Sequence, residues 1–223
     1  MSWVKRLRKP YDSGISTEKD YRSALPFSFW HDHGLLRTIW KNELEIAPGV
    51  WRSNQPDRKR LAEWKERGLT RIVNLRAPDD AFYHIEDWEC REFGLELLNF
   101  PMPSYRPPTP DQITSFVHLL EGLQKPFVMH CKSGADRTAI ASALYLIAIE
   151  KAPIEKALGM FSIKHVHLAG SRKGVLKQVF LDYWYDTHYE TDFMTWVTTQ
   201  YDPERAKANF AERRKNFGWL RTF

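Results

Sequence analysis

Cys131 and Arg137 stand six positions apart in the run His130-Cys131-Lys132-Ser133-Gly134-Ala135-Asp136-Arg137-Thr138, and together they suit nucleophilic attack on a phosphate. A cysteine thiolate is the attacking form of sulfur. The arginine offers a planar fork to two oxygens of the same anion, where lysine would act only as a point charge. Gly134 lets the backbone bend without a Cβ, so the N–H groups of Lys132, Ser133, Gly134, Ala135, Asp136 and Arg137 can converge on one point. The Thr138 hydroxyl can hydrogen-bond the sulfur when it must leave. The plain alternative, a buried cysteine at a strand end beside an ion-paired arginine, leaves the glycine without a purpose.

The flanking residues supply the means of positioning. Phe127-Val128-Met129, opened by Pro126 and ending at His130, has the length and apolarity of a buried strand. Ala139 to Ile147 reads as a strongly apolar helix. A loop between a strand's end and a helix's start meets the first helical amides and the positive end of the macrodipole, which is where anions bind and a thiolate is stabilised.

The run "HCKSGADRT" resembles the signature loop of the cysteine-dependent protein tyrosine and dual-specificity phosphatases. "WRSNQP" followed by "TRIVNLR" resembles the opening of a dual-specificity-like branch common in bacteria, with plant and fungal members that act on inositol phosphates. The resemblance covers about 46–180. It implies an α/β domain with a central, mostly parallel sheet flanked by helices, and a two-step reaction through a phosphocysteine on Cys131, with Arg137 and the loop amides on the phosphate. No metal or other cofactor is implied. His130 is expected beneath the loop, supporting its backbone and the thiol, and Arg52 to pair inside the domain. The family takes its general acid from an Asp on a mobile loop upstream of the cysteine. Here the loop after the third strand reads "PMPSYRPPTPD", and its Asp111 looks like a helix N-cap. Asp79 and Asp80, after another strand's C-terminal end, are the first candidates. Asp136, beside Arg137, is expected to orient the arginine, with capping the helix or serving as the acid as alternatives. Lys132 resembles a second loop cation found in lipid- and inositol-directed members. Arg76, Arg106, Lys164, His165 and Arg172 add to a positive wall if the fold brings them to the mouth.

The chain of 223 residues, 43% hydrophobic and 14% aromatic, is long enough for one domain with extensions. We expect an N-terminal extension over 1–45, the catalytic domain over 46–190 and a basic helical extension over 191–223. Strand and helix patterns alternate from Gly49 to Phe100, as an α/β sheet requires. Two cysteines exclude a disulfide framework, and with no apolar leader after "MSWVKRLRKP" the expected location is a reducing cytoplasm. Cys90 reads as an ordinary helix residue; the sharper reading is a resolving thiol for an oxidised Cys131. His31 and His33 around Asp32 have no further metal-ligand pattern nearby. The formal net charge of +5 gathers at the ends, in Lys5, Arg6, Arg8 and Lys9 and in Arg205, Lys207, Arg213, Arg214, Lys215 and Arg221. Such ends suit an anionic membrane surface or docking on the domain, and the plainer expectation for the last helix is docking. Nucleic acid is not expected, because base-stacking aromatics are not interleaved with the charges. The expected partner is a phosphorylated protein or small phosphorylated substrate; a lipid or inositol phosphatase and a phosphate-binding module without turnover stand as alternatives.

Overall fold

Pro48 and Gly49 turn the chain between two short strands, β1 (Leu44–Ala47) and β2 (Val50–Asn54), and Gly49 takes φ +74°, a conformation that disfavours other residues. A Cβ at Gly49 would also lie 3.2 Å from that of Lys125. The hairpin opens a five-stranded sheet of order β1-β2-β5-β3-β4, completed by β3 (Arg71–Asn74), β4 (Glu96–Asn99) and β5 (Phe127–Cys131). Only the β1 edge is antiparallel; β2, β5, β3 and β4 run parallel. Their C-terminal ends therefore emerge together, the edge at which open α/β sheets place their chemistry. The expected α/β class holds.

The computed structural model describes residues 14–31, 40–78, 81–165, 167 and 171–217. The chain divides into two compact units, Met1–Pro101 with Lys125–Ser133 and Met102–Gln124 with Gly134–Phe223. The first holds the sheet and helices α1 (Glu18–His31), α2 (Arg58–Glu66) and α3 (Ala81–Phe93). Asp57 caps α2 by accepting from the Arg60 N–H, and Gly68 at φ +79° follows its end. Leu61 and Trp64 of α2, Cys90 of α3, and Ile72 and Val128 of the sheet form one buried cluster. Helix α1 docks on α3 through Tyr21, Ala24 and Ile85, with Trp88 stacked at 6.1 Å from Tyr21.

The Tyr21 hydroxyl donates to Glu89 Oε1 at 2.6 Å. Burial nevertheless outweighs that bond and raises the Glu89 carboxyl to about 7. A carboxyl that holds its proton more tightly when folded contributes most stability below its unfolded pKa and loses it as pH rises toward the folded value. Wild-type stability should thus decline relative to Glu89→Gln between about pH 4.5 and 7, by up to about 3 kcal/mol. Urea unfolding of both proteins at the two ends of that window tests this; parallel curves would refute it.

The second unit is helical: α4 (Pro110–Glu121), α5 (Asp136–Leu144) continued by a π-helical turn over Tyr145–Ile149, α6 (Ile154–Gly159), α7 (Val175–Thr187), α8 (Phe193–Thr199) and α9 (Pro203–Phe217). Thr109, not Asp111, caps α4. Its hydroxyl accepts from the Gln112 N–H while the Thr109 N–H donates to Gln112 Oε1, and Asp111 lies in the first turn. An aromatic cluster of Phe161, Phe180, Tyr183, Phe193, Trp196 and Tyr201 joins the helices, with ring centroids 5.1–6.0 Å apart in successive pairs. The apolar stripe of α7, Leu176, Val179, Phe180 and Tyr183, is core. Ala206 and Phe210 of α9 are buried in a helix packed against α7, so docking within the chain, the plainer expectation, describes the last helix. Among the described residues no helix is long and apolar enough to cross a membrane.

Candidate active site

β5 ends on Cys131 and α5 begins on Asp136, so only residues 132–135 separate the sulfur's strand from the helix that carries Arg137 and Thr138. Gly134 is buried and takes φ +69°, the conformation for which a glycine was expected. Ala135, at the helix N-cap, supplies no capping oxygen. A loop this short ties the nucleophile and the arginine to regular elements, which locate groups more firmly than long loops do.

On the sheet side, the ends of neighbouring strands brace the start of the loop. Asn54 lies in register with Cys131, and the Gln55 N–H donates to the Lys132 carbonyl at 3.3 Å. Asn42 Nδ2 donates to the Ser133 carbonyl at 3.1 Å. Arg60 of α2 in turn grips the end of β2, donating to Asn54 Oδ1 and to the Gln55 carbonyl, each at 2.5 Å. His130 faces the other way, toward α3. Its Nε2 lies 2.8 Å from Glu86 Oε1 and its Nδ1 lies 3.5 Å from the Cys131 carbonyl. The second Glu86 oxygen accepts from Gln55 Nε2 at 2.8 Å and from Asn74 Nδ2 at 2.7 Å. One buried carboxyl therefore gathers side chains from the ends of β3 and β5 and from the residue after β2. Arg76 joins this layer rather than an open wall: it is buried, donates to Gln55 Oε1 at 3.0 Å and lies over the Phe82 ring at 4.8 Å.

Alternation along β5 puts Cys131 and Met129 on one sheet face and His130 and Val128 on the other. Arg52, paired with Met129, shares the Cys131 face and is fully buried. Burial lowers its guanidinium to about 10, and its electrostatic interaction with Cys131 works the other way. Cys90 packs with Val128 on the opposite face, and burial pushes its thiol far up. The ordinary reading of Cys90 therefore stands, and the resolving-thiol reading fails on geometry.

On the helical side, Asp136 is almost wholly buried at the first turn of α5. His167 Nδ1 lies 3.0 Å from its Oδ1, and Lys173 Nζ donates to Oδ2 at 2.5 Å. Burial presses the carboxyl upward, but the His167 and Lys173 bonds outweigh it and hold Asp136 below the usual carboxylate range. A carboxylate held this way orients more readily than it donates a proton. Of the other cations considered from the sequence, Arg106 donates to Gln112 Oε1 at the α4 cap, Lys164 and Arg172 are exposed, and His165 is buried. Residues not expected from the sequence are thus brought in: Glu86, Gln55, Asn74 and Asn42 at the end of β5 and the start of the loop, and His167 and Lys173 at the start of α5. A usable sequence signal existed only for the last pair, because a carboxylate placed beside an anion-binding arginine calls for compensating charge.

Asp79 and Asp80 lie outside the described residues, as do Asp32 and His33. The segment leading to the two former residues leaves β3 just past Asn74, which is in register with His130.

A family model described as a DSP-PTPase phosphatase fused to NAD+ kinase matches residues 37–174. The chain belongs to this dual-specificity phosphatase family. It is a cysteine-dependent phosphatase, as the loop implied. The chain is also similar to solved structures. TpbA of P. aeruginosa in complex with pTyr is 17% identical, with 76% of this chain and 90% of that one covered and a TM-score of 0.50. Tk-PTP in its active form is 20% identical over 66% and 98%, with a TM-score of 0.49. A DUF442 phosphatase from Shewanella putrefaciens is 16% identical over 54% and 81%, with a TM-score of 0.46. The match to the phosphatase model includes the whole Cys131–Thr138 loop.

Proposed function

We propose that this phosphatase hydrolyses phosphotyrosine and related phosphomonoesters on proteins through a phosphocysteine at Cys131. The carrying observation is the four-residue connection from Cys131 at the end of β5 to a helix start bearing Arg137. The thiolate attacks phosphorus and the bond to the leaving oxygen breaks, while Arg137 and the loop amides hold the remaining oxygens. Asp79 or Asp80 donates the proton the leaving oxygen requires. A water then attacks the phosphocysteine, gives its proton to the same carboxylate, and releases phosphate and the thiolate. Thr138 serves the departing sulfur. Phosphotyrosine, which TpbA holds, is the first substrate to test.

Asp79→Asn and Asp80→Asn, assayed separately, test the acid. One of them should lower kcat on phenyl phosphate by roughly 10²–10⁴-fold and affect para-nitrophenyl phosphate much less, because a better leaving group needs less proton donation. Equal losses on both esters would remove the acid role. Lys132, a second loop cation, favours as a second reading an inositol or lipid phosphate, and a panel of those esters against a phosphotyrosyl peptide ranks the two. The basic ends that would suit a membrane surface lie partly outside the described residues.

A further inference from the structure

We propose that His167 and Lys173 are positioning residues for phosphoryl transfer, acting through Asp136. The inference rests on the phosphatase reading above and adds to it two residues from the connection between α6 and α7.

Asp136 is the residue before Arg137, in the first turn of the same helix. Left to itself, its negative charge would lie one residue from the arginine that must bind a phosphate dianion, and like charge that near the anion works against substrate. Both carboxylate oxygens are instead taken by groups far along the chain. His167 is fully buried, with its ring edge-on to Phe161 at 5.1 Å, so it has little freedom to swing away. Lys173 lies on a 3-10 turn, Arg172–Gly174, whose start is capped by the Ser171 hydroxyl accepting from the Lys173 N–H at 3.2 Å. Its ammonium also lies 5.8 Å over the Tyr105 ring, on the segment before α4. Two points of the α6–α7 connection thereby converge on one carboxylate, and the Tyr105 segment reaches it through the lysine. Two consequences follow: the helix start carrying Arg137 is tethered, and the charge of Asp136 is cancelled by a cation before substrate arrives. Tyr105 is largely exposed, so the lysine's other contact is a solvent-facing ring that restricts it without neutralising it.

Charge cancellation predicts a result that mere structural support does not. Lys173→Met should lower kcat/KM on an aryl phosphate by roughly tenfold or more, by exposing the arginine to an uncompensated carboxylate. Adding Asp136→Asn to Lys173→Met should recover part of that loss, because it removes the offending charge. His167→Gln, which keeps a hydrogen-bonding side chain, should fall between wild type and Lys173→Met. A double variant no better than Lys173→Met, or a Lys173→Met enzyme equal to wild type, would overturn the proposal while leaving the phosphatase reading intact. The ester comparison separates positioning from proton donation: Asp136→Asn should change phenyl and para-nitrophenyl phosphate by the same factor, and a larger effect on phenyl phosphate would make Asp136 the acid and overturn the assignment. A wild-type protein without turnover dependent on Cys131 would instead remove the phosphatase reading itself. Thermal melts of each variant identify any loss that comes from unfolding, and the recovery in the double variant is read on the folded fraction.

Discussion

Cys131→Ser should eliminate turnover of aryl phosphates, by roughly 10⁴-fold or more, while leaving the protein folded and able to bind phosphate. The serine hydroxyl has nearly the size of the thiol, so the last position of β5 and the register of Asn54 with it are undisturbed. What is lost is a sulfur nucleophile that can attack phosphorus and then leave from it. Arg137→Lys should behave differently. It keeps the charge but loses the fork, and the transition state gives up one of its two parallel bonds. A loss of roughly 10²–10³-fold in kcat/KM is expected, with phosphate or vanadate binding weakened as well. The two variants therefore separate on phosphate binding: Cys131→Ser retains it and Arg137→Lys weakens it. The measurement is steady-state kinetics in parallel with inhibitor titration followed by tryptophan fluorescence. A chain that binds phosphate but turns over no ester, before or after substitution, would be the phosphate-binding module rather than the enzyme.

The loop was legible because its chemistry is written in consecutive residues. Cys131, Gly134, Arg137 and Thr138 are near neighbours in the chain, and the apolar runs on either side give the strand and the helix by composition alone. β3 and α3 were readable for the same reason, through the apolar run Ile72-Val73 and the period of the helix ended by Gly94. The β1 strand was not, because its first two residues are exposed and nothing in Leu44-Glu45-Ile46-Ala47 marks a hairpin except the Gly49 turn. The α4 cap was misplaced by two residues because Asp111 and Thr109 are both good caps, and only the reciprocal bond with Gln112 decides between them. Long-range partners were the least legible. His167 and Lys173 stand 31 and 37 positions from Asp136, and Glu86 stands 31 from Gln55. In the sequence Glu86 is one carboxyl among several on an amphipathic helix, and only tertiary packing turns it into the residue the strand ends share.

Glu86 is where that hidden layer should show its largest effect. Its carboxyl is 2% exposed and meets His130, Gln55 and Asn74, side chains from three strand ends or the residue just past one. Glu86→Ala would leave those polar groups buried with a void between them. Each donor that loses its acceptor costs about 1–3 kcal/mol, so a destabilisation of roughly 3–5 kcal/mol is expected. Glu86→Gln fills the space but turns one acceptor into a donor, which must then face the N–H of Gln55 or Asn74 or the ring of His130. That variant should stay folded with a smaller stability loss, yet lose activity, because His130 precedes the nucleophile directly and its orientation sets that of the Cys131 peptide. Roughly a tenfold fall in kcat/KM with an aryl phosphate, at a denaturant midpoint closer to wild type than that of Glu86→Ala, is the expected pattern. Urea unfolding and steady-state kinetics on the same preparations check it. If Glu86→Gln were as active as wild type, the His130–Glu86 contact would serve stability alone, and support for the nucleophile would have to come from Asn42 and Gln55 at the backbone of Lys132 and Ser133.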